Sequence, residues 1–107
     1  MTRVLLVELA ATPEAVRLGR LLRDAGAEVI HAGVLAGAEP IRRTAEQEDP
    51  DALVVFGDAA PDGLGGVHLF VVAPETAGDP GNRLEALAER LVGVRSHTRG
   101  TPSDRIR

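Results

Sequence analysis

The sequence predicts an α/β fold, built on a mainly parallel, doubly wound sheet of about four strands with flanking helices. Apolar runs that do not alternate with polar residues, at residues 3–7, 51–56 and 67–72, are typical of strands buried on both faces. Segments with helix start and stop residues separate most of these runs, which gives the order β-α-β-α-β-β-α. With 107 residues, 44% of them hydrophobic, the chain is long enough for one core and too short for two.

The first third of the chain carries the clearest local signals. The strand predicted over Arg3–Val7 is followed by Thr12 as a hydroxyl N-cap and Pro13 as the first helical residue. Gly26 supplies the left-handed residue that commonly ends a helix. A short second strand is predicted over Glu28–His31.

The two later helices are predicted from weaker patterns. Pro40 is expected to start the second helix, and the Asp49-Pro50 step to end it, because proline disfavours helical backbone in the residue before it. Asn82 and Glu85 form a capping pair that predicts the start of a third helix.

The connection between the third and fourth strands is unusual. Residues 57–66 contain Pro61 and four glycines and are not expected to form a helix, whereas a parallel crossover usually needs one. The fourth strand therefore either runs antiparallel to the third or is carried over by a tight loop, and one crossover helix is missing. Part of one apolar sheet face loses its cover in either case, so we expect self-association or a protein partner.

The composition excludes several classes of function. The net charge of −4, with only 2% aromatic residues, argues against nucleic acid or an anionic membrane as the main partner. There is no cysteine, so thiolate metal sites and cysteine nucleophiles are excluded. All 12 basic residues are arginines, which excludes Schiff-base chemistry and a phosphate-binding loop lysine.

The chain reads as a single domain over residues 1–95 with a flexible polar tail over residues 96–107. No apolar run has the length of a membrane span, and the sequence opens on a predicted strand instead of a signal peptide. We therefore expect a cytoplasmic protein.

Residues 22–55, LRDAGAEVIHAGVLAGAEPIRRTAEQEDPDALVV, resemble the cobalamin (B12)-binding domain of methylmalonyl-CoA mutase and its small subunits. With the first strand included, the similarity covers about half of the chain. It implies a flavodoxin-like (Rossmann-like) sheet. The matching residues belong to the scaffold and not to the chemistry of that family.

The ligand-binding residues of that family are missing. The resemblance places a D-x-H-x-x-G loop after the first strand, in which the histidine ligates cobalt, but residues 8–13 contain neither histidine nor aspartate. The family's Ser-x-Leu segment and Gly-Gly pair, after the third and fourth strands, are replaced by Phe56-Gly57-Asp58-Ala59 and Ala73-Pro74-Glu75-Thr76. The resemblance thus implies a degenerate, shortened relative without cobalamin ligation, and we expect no cofactor.

The sequence also resembles a response-regulator receiver, through RVLLVE, AGAEV and PDALVV. Receivers need an acidic cluster, a phosphoryl-accepting aspartate at the end of the third strand and a lysine after the fifth. Only Glu8 matches the cluster, Phe56 occupies the acceptor position and the lysine is absent. A degenerate receiver is therefore the weaker of the two resemblances.

Polar groups are expected at the carboxyl ends of the strands, the edge where open α/β sheets bind ligands. The candidate pocket residues are Glu8, Thr12, His31, Asp58 and Glu75, with Asp62 nearby. Three scattered histidines, His31, His68 and His97, do not suggest a metal site, which needs convergent ligands.

Two hypotheses follow from these observations. The first is a non-catalytic interaction module that associates with itself or with a mutase-type subunit. The second is a small enzyme or metabolite binder, for example of an acyl-CoA, that reuses the strand-end edge around Glu8 and Asp58. The second hypothesis predicts a concave pocket at that edge. We expect no catalytic or metal-binding residues under the first.

Overall fold

A computed structural model of the protein describes residues 1–64, 68–73 and 83–94. The described strands form one parallel sheet in the order β2-β1-β3-β4, flanked by three helices. The α/β, flavodoxin-like fold predicted from the sequence is therefore confirmed. The elements in chain order are β1 (Arg3–Glu8), α1 (Pro13–Asp24), β2 (Glu28–Val34), α2 (Ala38–Glu48), β3 (Ala52–Phe56), β4 (His68–Val72) and α3 (Arg83–Val92).

The helices cover the two faces of the sheet unequally. Helices α1 and α3 pack on one face, where Leu18 and Leu22 meet Val4, Leu6 and the other core residues of that side. On the opposite face, which we call the α2 face, a smaller cluster consists of Leu5, Val7, Ile41, Leu53, Val55 and Leu64. Alternation along each strand produces the two clusters, since neighbouring side chains point to opposite faces.

The fourth strand runs parallel to the third, which settles a direction that the sequence left open. Residues 57–64 of the connection are not helical, and Gly63 adopts a positive φ of 91° in a turn. Leu64, which is almost fully buried, folds onto the α2 face beside Leu53 and Val55. One loop residue thus fills part of the space that a crossover helix would occupy.

Helix α1 begins as predicted. The Thr12 hydroxyl accepts a hydrogen bond from the Glu14 amide at 3.2 Å, and Pro13 occupies the first helical position. After the helix, Gly26 has a φ of 95°, a conformation that residues with a Cβ rarely adopt.

Helix α2 and strand β2 extend beyond their predicted bounds. Helix α2 begins at Ala38 instead of Pro40, and the proline is tolerated because amides of the first turn have no partner within a helix. Strand β2 continues past His31 to Val34, with a shift in its pairing to β1 and a positive φ at Gly33. In a sequence, a glycine at such an irregularity is indistinguishable from a turn residue. This explains why the strand was predicted to end early.

Two predicted structural features of the later part of the chain lie outside the described residues. One is the Asn82 cap of α3. The other is the polar tail over residues 96–107.

Candidate functional site at the carboxyl edge of the sheet

A concave cleft of about 570 Å³ opens at the carboxyl ends of β1, β3 and β4. In the sheet, β2 lies on one side of β1 and β3 lies on the other side. The order in which the chain adds strands therefore changes sides between β1 and β3. Open α/β sheets bind their ligands at such a switch point. The walls are formed by Leu9, Ala10, Ala11, Thr12, Glu14, Phe56, Gly57, Asp58, Ala59 and Val72.

Most of the cleft is apolar and closely packed at its base. A Cβ placed on Gly57 would lie 2.7 Å from Leu9 Cδ1, so a side chain at residue 57 would require Leu9 to move. The Leu9 amide also donates to the Phe56 carbonyl at 3.0 Å. These contacts fix the relative positions of the two loops that line the cleft.

Glu8 has a structural partner within the first loop. Its Oε1 accepts a hydrogen bond from the Thr12 amide at 2.8 Å, which closes the short loop between β1 and α1. The Glu8 side chain does not belong to the cleft wall. The carboxylate that the sequence suggests for chemistry therefore holds the loop in place.

Glu14 is the polar wall residue that the sequence analysis missed. Its side chain is only 5% exposed, and Oε2 lies 2.5 Å from Nη2 of Arg83 on α3, whose side chain is 34% exposed. The same Arg83 atom donates to the Ala73 carbonyl at 2.8 Å. The partners of this ion pair are 69 residues apart in the chain, so no local pattern announces it.

The ion pair determines what the N-terminus of α1 can bind. A helix N-terminus usually attracts anions through its unpaired amides and its partial positive charge. Here Thr12 caps one amide, Pro13 lacks an amide hydrogen, and the Glu14 carboxylate supplies the negative charge. A phosphate or carboxylate ligand would meet a site that is already satisfied, and Asp58 adds a further negative charge to the wall.

The remaining predicted site residues are spread over different places. Asp58 is exposed and lines the cleft, and Asp62 is exposed in the same loop but is not a wall residue. His31 lies inside β2, three positions before its end, over Gly19 of α1, and not at the strand-end cleft. The prediction that His31 ends a strand was wrong because β2 continues to Val34. Glu75 lies outside the described residues.

Within the described parts of the chain, no group of three or more histidine, aspartate or glutamate residues is placed to hold a metal ion. The helices of these parts are also too short or too polar to cross a bilayer. The cleft is therefore best described by its shape: an apolar hollow with one exposed carboxylate on its wall.

The fold and the cleft define a small flavodoxin-like α/β domain with a concave strand-end edge. No protein-family model matches the chain, and no curated protein matches it. The resemblance to cobalamin-binding domains accordingly remains a prediction from the sequence.

Proposed function

We propose that this chain is a non-catalytic interaction module, a degenerate relative of cobalamin-binding domains that associates with a second copy of itself. The observation that carries the proposal is the exposed apolar surface of β4. On the α2 face of this strand the residues Leu69 and Val71 are 39% and 43% exposed. They flank Leu53 and Val55 of β3, which are fully buried.

The exposure follows from the short crossover. The apolar cluster on the α2 face includes Ile41 of α2 and Leu64, whereas Leu69 and Val71 of β4 are not part of it. Burying the remaining exposed area of each of these two side chains gains roughly 1 kcal/mol. Apolar surface next to a polar rim is typical of interfaces.

Sedimentation velocity over a wide concentration range tests this function. We expect a reversible shift from monomer to dimer in the natural sequence, and its loss in Val71→Lys, because a charge on an edge strand opposes association. Val16→Lys is the matched control, since Val16 is also an exposed valine, at 53%, but lies on α1. A chain that stays monomeric at all concentrations, or equal effects of the two substitutions, would refute the proposal.

The chain could associate with itself or with a different subunit. The resemblance to mutase small subunits suggests a mutase-type subunit as an alternative to self-association. Titration of the purified chain with such a subunit distinguishes the two, because a heteromeric complex would form at concentrations where the chain alone is monomeric.

A second candidate function, binding of a small molecule, is favoured by the cleft at the carboxyl edge. Its apolar walls and the exposed Asp58 fit an uncharged or cationic compound with an apolar body. At the N-terminus of α1 the Glu14 amide is capped by Thr12 and Pro13 has no amide hydrogen, which disfavours phosphorylated ligands such as an acyl-CoA. The imidazole expected of a cobalt ligand is missing from the cleft wall.

Thermal-shift screening with amines, uncharged metabolites and cobalamin tests the cleft. Asp58→Asn is expected to weaken a cationic ligand, whereas Asp62→Asn, a carboxylate in the same loop but outside the cleft wall, serves as the control. Stabilisation by cobalamin, together with a change in its absorption spectrum, would contradict the proposed loss of cobalamin binding.

A further inference from the structure

Within the described residues, strand β4 presents an unpaired hydrogen-bonding edge. It is the last strand of the described sheet, and β3 pairs with only one of its sides. The Gly57 amide donates to the Val72 carbonyl at 2.9 Å, which shows that the backbone groups of Val72 point towards β3. Because successive residues of a strand point their N–H and C=O groups to opposite sides, those of Leu69 and Val71 point outward.

The chemistry of this edge favours pairing. Residues 68–72 include no lysine, arginine, aspartate, glutamate or proline, the residues that commonly protect an edge strand. The opposite edge of the sheet differs, since β2 begins with Glu28, which pairs with Arg3, and has an irregular register near Gly33. Among the described strands, β4 exposes two neighbouring apolar residues on one face, Leu69 and Val71, whereas β2 exposes one, Val34, at its end.

We propose that two copies of the chain pair through β4 in antiparallel orientation, around a two-fold axis at Phe70, to form one eight-stranded sheet. This inference rests on the self-association proposed above and adds the surface and the register. In this register Leu69 of each copy lies opposite Val71 of the other. Each such pair exchanges two N–H···O=C bonds, so all four outward groups of each strand obtain a partner.

The neighbouring registers are less favourable. An axis at Val71 would place Leu69 opposite Ala73, whose carbonyl already accepts a hydrogen bond from Arg83. An axis at Leu69 would place Val71 opposite position 67, which precedes β4. The axis at Phe70 is the one that pairs all five residues of the strand.

The side chains on both faces are compatible with this axis. On the α2 face, Leu69 and Val71 of the two copies form one apolar patch of four side chains. On the other face the two Phe70 rings come together, and each carries the Arg90 guanidinium 5.2 Å from the ring centroid. The two guanidinium groups and the net charge of −4 per chain oppose association, so added salt is expected to strengthen the dimer.

The pairing is tested by disulfide trapping, for which the absence of native cysteine provides a clean background. Leu69→Cys and Val71→Cys change exposed positions and are prepared as full-length chains, one of them isotopically labelled. The mixed and the two homotypic disulfides are then separated by mass after mild oxidation. Opposed residues have Cα atoms about 5.5 Å apart, within the range for a disulfide, whereas residues on the diagonal are about 7–8 Å apart.

We expect the mixed disulfide to form roughly fivefold faster than either homotypic one. Faster homotypic trapping at position 69 or at position 71 would overturn the register, while leaving self-association intact. A dimer in sedimentation that traps at neither position would place the interface elsewhere and overturn the inference. A chain that is monomeric in sedimentation would refute the proposed function as well.

Discussion

Removal of Arg83 tests how the wall of the cleft is held together. In Arg83→Met the Glu14 carboxylate, 5% exposed, is left in a buried position without its guanidinium partner. Loss of one partner of a fully buried pair costs about 3–5 kcal/mol, and the 34% exposure of Arg83 places this pair below that range. We therefore expect a loss of about 2 kcal/mol, or a melting temperature lower by about 8 °C.

The reverse substitution is expected to be milder. In Glu14→Gln the buried group becomes neutral, and the partly exposed Arg83 retains access to water and to the Ala73 carbonyl. A loss of about 1 kcal/mol is expected. The double variant should lose less than the sum of the two single losses, because its buried position no longer carries an unpaired charge.

Urea unfolding followed by far-ultraviolet circular dichroism measures all three variants, since the chain has no tryptophan or tyrosine to report by fluorescence. The measurements are made at low concentration, so that self-association does not add to the stability. A larger loss in Glu14→Gln than in Arg83→Met, or strictly additive losses in the double variant, would refute the assignment of Glu14 as a buried charge that depends on Arg83.

Three further predictions concern the helices. Thr12→Ala removes the N-cap of α1 and should cost about 1 kcal/mol in urea unfolding; an unchanged midpoint would contradict the capping role. Gly19→Ala should stabilise α1 by about 0.5 kcal/mol. The new Cβ would lie 2.6 Å from His31 Nε2, but the imidazole is exposed and can turn away. A destabilised protein would show that His31 is held in place. A hydrogen bond from Arg42, together with its charge, lowers the pKa of Glu39 in the folded protein. The stabilisation that Glu39 gives α2 is therefore complete above the pKa of Glu39 in the unfolded chain, and it is lost as the pH falls through the lower pKa of the folded state. Glu39→Gln should therefore flatten the acid limb of the stability profile, and an identical profile would contradict this.

The features that were predictable from sequence are local ones. The Thr12-Pro13 pair determines the start of α1 through a hydroxyl and a fixed φ, both of which act within two residues. The apolar runs of β1 and β3 predicted strands buried on both faces, and their side chains are buried on both faces of the sheet.

The features that the sequence did not predict depend on long-range contacts or on irregular backbone. The pairing of Glu14 with Arg83 joins two helices that meet only after the sheet has formed. Strand β2 continues through Gly33, which has a positive φ. The periodicity of apolar residues gives no information about such a backbone conformation. Glu8 illustrates a third case, because its position at the end of β1 was predictable and its hydrogen bond to the Thr12 amide was not.

The proposed dimer and the cleft are physically connected through β4. Val72 ends this strand and forms part of the cleft wall, and the two-fold axis at Phe70 would place His68 of the second copy opposite it. Each cleft would then lie beside an imidazole that the described wall residues of its own chain do not supply. A cleft ligand that contacts this group must bind the dimer more tightly than the monomer, and by linkage it must strengthen the dimer by the same factor. Measuring the dimer constant with and without a ligand found in the thermal-shift screen decides the point: an unchanged constant would show that the two surfaces act independently.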